Sequence, residues 1–137
     1  MAIKFSVIQR GEPGVVGGGT KKWYASPQMN GELTLEGLTK WIEKISTVSG
    51  ADIRAVVYAA VDVIKESLSE GQIVRLGELG SFRTSISSEG KATEKEVTAH
   101  SITNARVIFT PAKGLKDMLA TLSYEKITSD VQEELPS

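Results

Sequence analysis

The side chains best placed to do chemistry in this chain are cations next to exposed backbone amides, and the ligand they suit is a phosphate. Lys113 and Lys116 follow Pro111 at the expected start of a short helix. A helix N-terminus offers unpaired N–H groups and the positive end of the helix dipole, so two nearby ammonium groups reinforce an anion site there. Upstream, Gly80 and Ser81 sit between Arg75 and Arg83 in VRLGELGSFR. A glycine lets backbone amides approach a phosphate closely, and the flanking arginines add contacts that weaken with salt. Arg75 reads equally well as an exposed strand charge or half of a surface ion pair.

Other chemistries find little support. GGGTKK (Gly17 to Lys22) has the composition of a phosphate loop, but a nucleotide loop needs Lys followed by Ser or Thr at the opening of a helix, and here Thr precedes Lys and a strand pattern follows. The single His, His100, lies beside Ser101 in a polar stretch and has no cysteine to act with, since the chain contains none. The same absence removes disulfides and thiolate metal sites. No Gly-x-Ser-x-Gly elbow occurs. An enzyme, a cofactor, a metal and a small-molecule substrate are therefore not expected.

The elements that must hold these residues follow from periodicity. Ile3, Phe5 and Val7 alternate with Lys4 and Ser6, the glycine-rich run Gly11 to Thr20 breaks the pattern, and Lys22 to Ala25 resumes it, predicting a β-hairpin. Thr34 is placed to cap a helix with Leu35, Leu38, Ile42 and Ile45 on one stripe. Ser49 and Asp52 resemble a capping box for a second helix, whose apolar face (Ile53, Val56, Val57, Ala60, Val61, Ile64, Leu68) runs until Gly71. That face is wider than one short partner helix can cover, which predicts burial in a dimer. Strand patterns return around Ile73 to Ile86 and Ile102 to Phe109, separated by a polar stretch, Ser87 to Ser101, expected to project or to be mobile. Pro111 is expected in the first turn of the final helix, with Leu115, Met118, Leu119 and Leu122 on its buried side.

This order of parts, together with Leu79-Gly80-Ser81-Phe82 and the closing Phe109, Pro111, Lys113, Leu115 and Lys116, resembles the HU family of histone-like DNA-binding proteins over about Leu33 to Leu122. The extra residues before Thr34 and the wording VRLGELGSFR are most similar to the HU-like proteins of Bacteroides and relatives. The resemblance implies an α+β fold: a two-helix base, a three-stranded antiparallel β-saddle with a β-arm, and a C-terminal helix, here with an appended N-terminal β-hairpin. It divides the chain into an extension (1–33), an HU-like DNA-binding domain (34–124) and an acidic, disordered tail (125–137).

The resemblance also implies a homodimer on double-stranded DNA, held mainly through the phosphate backbone with low sequence specificity, in the bacterial nucleoid. Its implied contacts are Arg75, Gly80, Ser81, Arg83, Lys91, Lys95, Arg106, Lys113 and Lys116, and its implied dimer core is Val57, Val61, Ile64, Leu79, Phe82 and Phe109. The arm departs from the family: Thr84 to Ala105 contains no Arg and no Pro, and Lys91 and Lys95 face Glu89, Glu94 and Glu96. Arms of the family wedge a proline between base steps; a shallower grip is expected here.

Charge sets a second limit. The chain holds 16 basic and 17 acidic residues, net −1, against the basic footprint usual for nucleic-acid binders. Glu125, Asp130, Glu133 and Glu134 against Lys126 contribute −3, leaving +2 for residues 1–124. This balance keeps open an alternative: a structural or protein-interaction dimer that retains the fold without strong DNA binding. No apolar run of membrane-spanning length and no signal-peptide pattern is present in the sequence, so a cytoplasmic protein is expected.

Overall fold

In a computed structural model, residues 2–127 are described. They fall into two compact units, one formed by residues 2–33 with 121–127 and the other by Thr34–Ala120.

The second unit starts with two helices. α1 (Leu35–Ile45) begins where Thr34 accepts a hydrogen bond from the Gly37 N–H at 3.2 Å. α2 (Gly50–Ser69) begins at Ser49, whose Oγ accepts from the Asp52 N–H at 3.2 Å. A second cap comes from the neighbouring helix: Glu43 Oε2 accepts from the Gly50 N–H at 2.7 Å. Two of the four unsatisfied amides at the start of α2 are thus paired, and α1 is tied to α2 at their junction. Around that junction Thr39, Gly50 and Ile53 are buried. α2 ends in a Schellman motif, with Gly71 at φ +82°, its N–H bonded to Leu68 O, and the Gln72 N–H bonded to Ser67 O.

Three antiparallel strands follow in the order β3-β4-β5: β3 (Val74–Arg75), β4 (Gly80–Ser88) and β5 (Ile102–Pro111). Because side chains alternate across a strand, the register sorts this sheet into two faces. Val74, Phe82, Thr84, Ile86, Ala105, Val107, Phe109 and Pro111 share one. It is the face turned to α2, since Thr84 Oγ1 donates to Leu68 O at 3.3 Å. On it the Phe82 and Phe109 rings meet with centroids 5.0 Å apart.

One expectation is corrected in this unit. Pro111 is not in the closing helix; it ends β5, paired with Gly80, and α3 runs Lys113–Ala120. β5 is an edge strand, where a residue without an N–H costs no ladder bond. The polar stretch between β4 and β5, expected to project or to be mobile, carries local structure. It forms two 3-10 turns, Glu94–Glu96 and Ala99–Ser101, each with a capping box. Ser101 closes the tip: it is buried, its Oγ accepts from the Thr98 N–H at 3.1 Å, and its carbonyl accepts from the Glu89 N–H.

The first unit is a three-stranded sheet of order β2-β1-β6. β1 (Ile3–Arg10) and β2 (Lys22–Gln28) form the expected antiparallel pair. β6 (Tyr124–Lys126) lies parallel to β1, with the Ile3 N–H bonded to Ser123 O and the Ile127 N–H to Phe5 O. Glu125 and Lys126, expected in a disordered tail, are therefore in a sheet, because β1 supplies backbone partners from the opposite end of the sequence. Residues 128–137, the rest of that expected tail, lie outside the described residues.

Candidate nucleic-acid interface

The sheet face turned away from α2 is polar and cationic. The register places Arg75 opposite Ser81, Ser81 opposite Thr110, Arg83 opposite Ile108, Ser85 opposite Arg106, and Ser87 opposite Asn104. Arg75, Arg83 and Arg106 thus occupy one face of one sheet, on three different strands, all exposed. That row holds hydroxyls, an amide and Ile108, and no carboxylate. Guanidinium groups in such a row, interleaved with hydroxyl donors, suit the oxygens of a phosphodiester backbone.

The turn at the head of β4 is built around Gly80. It is buried at φ +149°, and a Cβ there would lie 2.5 Å from Thr110 O and 2.6 Å from Phe109 Cζ. The glycine is thus required by packing independently of any ligand. Beside it, Leu79 O accepts from the Ala112 N–H at 3.2 Å, and Gly114 of α3 faces Glu78 O. The start of α3 is therefore fastened to the β3–β4 turn, and Lys113 and Lys116 lie on that helix.

The two lysines differ in their engagements. Lys113 Nζ is 2.7 Å from Asp117 Oδ2, an exposed i,i+4 pair that holds its charge on the helix. Lys116 is exposed, and its N–H bonds to Ala112 O within the helix. At the arm tip, Lys91 pairs with Glu89 at 3.3 Å, and Lys95 is exposed in the turn flanked by Glu94 and Glu96. His100 is exposed on the second turn.

The residues assigned to a dimer core are divided in a single chain. Val57, Ile64 and Phe82 are half-buried, while Val61, Leu79 and Phe109 are 47%, 50% and 39% exposed. Among the described residues, Ile53 is the one large apolar side chain that a single chain buries. Val56, Tyr58, Val63, Ile86 and Val107 are also open, far more apolar surface than an isolated soluble domain normally leaves uncovered.

A two-helix base under a three-stranded antiparallel saddle, with an arm and a short closing helix, defines the HU class of fold. Residues 1–126 match the family model HU-HIG, described as an HU domain fused to wHTH, Ig or a glycine-rich motif, and the chain belongs to that family. No curated protein matches it. Among solved structures it is similar to a candidate bacterial DNA-binding protein from Bacteroides vulgatus, with TM-score 0.65 and 13% identity over 92% of this chain and 48% of that one. This chain thus spans about half the length of that protein. It is also similar to HU of Anabaena in a cocrystal with DNA, with TM-score 0.50 and 20% identity over 64% of this chain and 98% of that one.

Sequence reasoning reached the cations but not their grouping. The common face of Arg75, Arg83 and Arg106 depends on the turn at Leu76–Leu79 and on the β4–β5 register, which no local pattern specifies. Glu43 as a cap for α2 was also missed; its separation of seven residues from Gly50 falls outside the local capping patterns a sequence displays.

Proposed function

We propose that this protein is a non-enzymatic, HU-like binder of double-stranded DNA that acts as a homodimer, contacts mainly the phosphate backbone with low sequence specificity, and serves nucleoid organisation in the bacterial cytoplasm. The observation that carries this reading is the row Arg75, Arg83 and Arg106 on the sheet face opposite the Phe82–Phe109 contact. Ser81 lies on the same face, and Lys113 and Lys116, on the helix fastened to the β3–β4 turn, are the further phosphate contacts of this reading. Nothing in the row resembles a recognition helix aimed at base edges, so discrimination between DNAs falls to shape and deformability. The open apolar side chains of α2 and of the sheet are what a second copy covers. Lys91 and Lys95 sit among Glu89, Glu94 and Glu96 and add little attraction, which makes the arm a shallow contact.

One observation favours a second reading, a protein-interaction dimer on the same fold. The unit Thr34–Ala120 holds eleven basic and eleven acidic residues, and its Lys91 and Lys113 are already in ion pairs. The two readings separate on the triple substitution Arg75→Gln, Arg83→Gln, Arg106→Gln. If the row grips DNA, the slope of log affinity against log salt falls by about 2.7, roughly 0.9 for each phosphate no longer neutralised. An unchanged slope would move the DNA site elsewhere and favour the interaction dimer.

A further inference from the structure

The net positive charge of the described residues resides in the appended sheet. Residues 2–33 with 121–127 hold five Lys and Arg against three carboxylates, whereas Thr34–Ala120 is balanced. The register of the sheet then decides where those cations go. Lys4 lies opposite Gln28, Ser6 opposite Ser26, Ile8 opposite Tyr24 and Arg10 opposite Lys22, so Lys4, Arg10 and Lys22 share one face with Ser6, Ser26, Gln28, Tyr24, Ile8 and Glu125. The other face carries Ile3, Phe5, Val7, Trp23, Ala25, Pro27 and Tyr124 together with Gln9 and Lys126, and part of it forms an apolar hollow of about 510 Å³ lined by Ile3, Phe5, Ala25, Pro27 and Tyr124. On the first face Lys4, Arg10 and Lys22 are exposed, and Ser6, Tyr24 and Ser26 between them are half-buried.

We infer that the polar face of the β2-β1-β6 sheet is a second contact surface for the phosphate backbone of duplex DNA, built on Lys4, Arg10 and Lys22. The inference rests on the DNA-binding reading above and extends its footprint. Charge complementarity selects the ligand. Lys4 and Arg10 are six residues apart on one strand, roughly 20 Å at the rise of a β-strand, a span of about six nucleotides at 3.4 Å per residue of one DNA strand. The Arg10 guanidinium is held over the Tyr24 ring, 5.7 Å from its centroid, which restricts its motion while its N–H donors stay available. Two carboxylates are nearby: Glu12 is 3.4 Å from Lys22 Nζ, and Glu125 neighbours Lys4 in the register with β6. A partly exposed pair such as Lys22–Glu12 contributes little, so a phosphate competes with it readily. The polar face has Ser6 and Ser26 at its centre, with Gln28 Nε2 donating to Ser6 Oγ at 2.8 Å.

The test is the salt dependence of duplex binding by the full chain and by two triple variants. Lys4→Gln, Arg10→Gln, Lys22→Gln removes the charge; Lys4→Arg, Arg10→Lys, Lys22→Arg keeps it. The inference predicts that the neutral variant loses about 2 to 3 from the log–log slope, at roughly 0.9 per phosphate, and that the charge-conserving variant retains the slope of the unmodified chain. A neutral variant with an unmodified slope would overturn the inference while leaving DNA binding by the arginine row intact. Equal reductions in both variants would also overturn it, since the charge would not be the cause. Absence of binding by the unmodified chain at low salt would overturn the DNA-binding reading and this inference together.

Discussion

Gly80 and Phe109 interlock: the space a side chain would take at Gly80 is occupied by the Phe109 ring, whose Cζ lies 2.6 Å from the position of an added Cβ. The backbone at Gly80 also has φ +149°, outside the range open to other residues at low cost. Gly80→Ala therefore combines overpacking with strain and should destabilise the fold by about 2 to 4 kcal/mol. Urea denaturation followed by circular dichroism measures this. A change within about 0.5 kcal/mol, the usual scale of a surface substitution, would show that this turn is not packed as described.

Phe82 sits on the other side of the same contact, ring to ring with Phe109 at 5.0 Å. Phe82→Ala should cost about 3 kcal/mol as a large-to-small change in an apolar layer. A double-substitution cycle with Phe109→Ala should return a coupling of about 1 kcal/mol for the ring pair, and strictly additive effects would place the two rings in separate environments.

Lys113 and Lys116 should contribute unequally to DNA affinity. Asp117 holds the Lys113 ammonium at 2.7 Å, so Lys116→Glu should weaken binding more than Lys113→Glu. The double variant should lower the salt slope by about 1.8, at roughly 0.9 per phosphate. Its stability should change by no more than about 0.5 kcal/mol, the scale of exposed i,i+4 pairs. Equal effects from the two single variants would mean that Asp117 does not restrain Lys113 on DNA.

The open apolar surface should be closed by self-association. Val61 of α2 is 47% exposed in one chain, within a face that also includes Val57 and Ile64. Sedimentation equilibrium should give twice the chain mass of 14.7 kDa for the unmodified protein, and Val61→Glu should shift it toward the monomer or unfold it, because an unpaired carboxylate in a dimer core is costly. A monomer at micromolar concentration would remove the dimer from the account.

Helices were legible in the sequence because their signals are local: Thr34, Ser49 and Gly71 mark termini with caps or a turn that the structure reproduces. The β1–β2 hairpin was legible for the same reason, through alternation on both sides of a glycine run. Pairings across long separations were not. β6 joins β1 over more than a hundred residues, and three residues of Tyr-Glu-Lys carry no strand signal of their own. The arm tip was half-legible: Thr93 and Glu96 have the usual capping-box spacing and types, whereas Ser101 is an unusual choice for the third position of the box at Thr98. Of the candidate site, residue types were readable and their faces were not, since a face depends on register and a slip of one residue exchanges it.

The most direct measurement is fluorescence anisotropy of the 137-residue chain, checked for size, against linear, nicked and four-way-junction DNA over a range of salt concentrations. The account predicts saturable binding whose affinity falls as salt rises, with little dependence on the sequence of the linear duplex. Absence of binding at low salt, or binding indifferent to salt, would contradict it and leave the interaction dimer as the function of this fold.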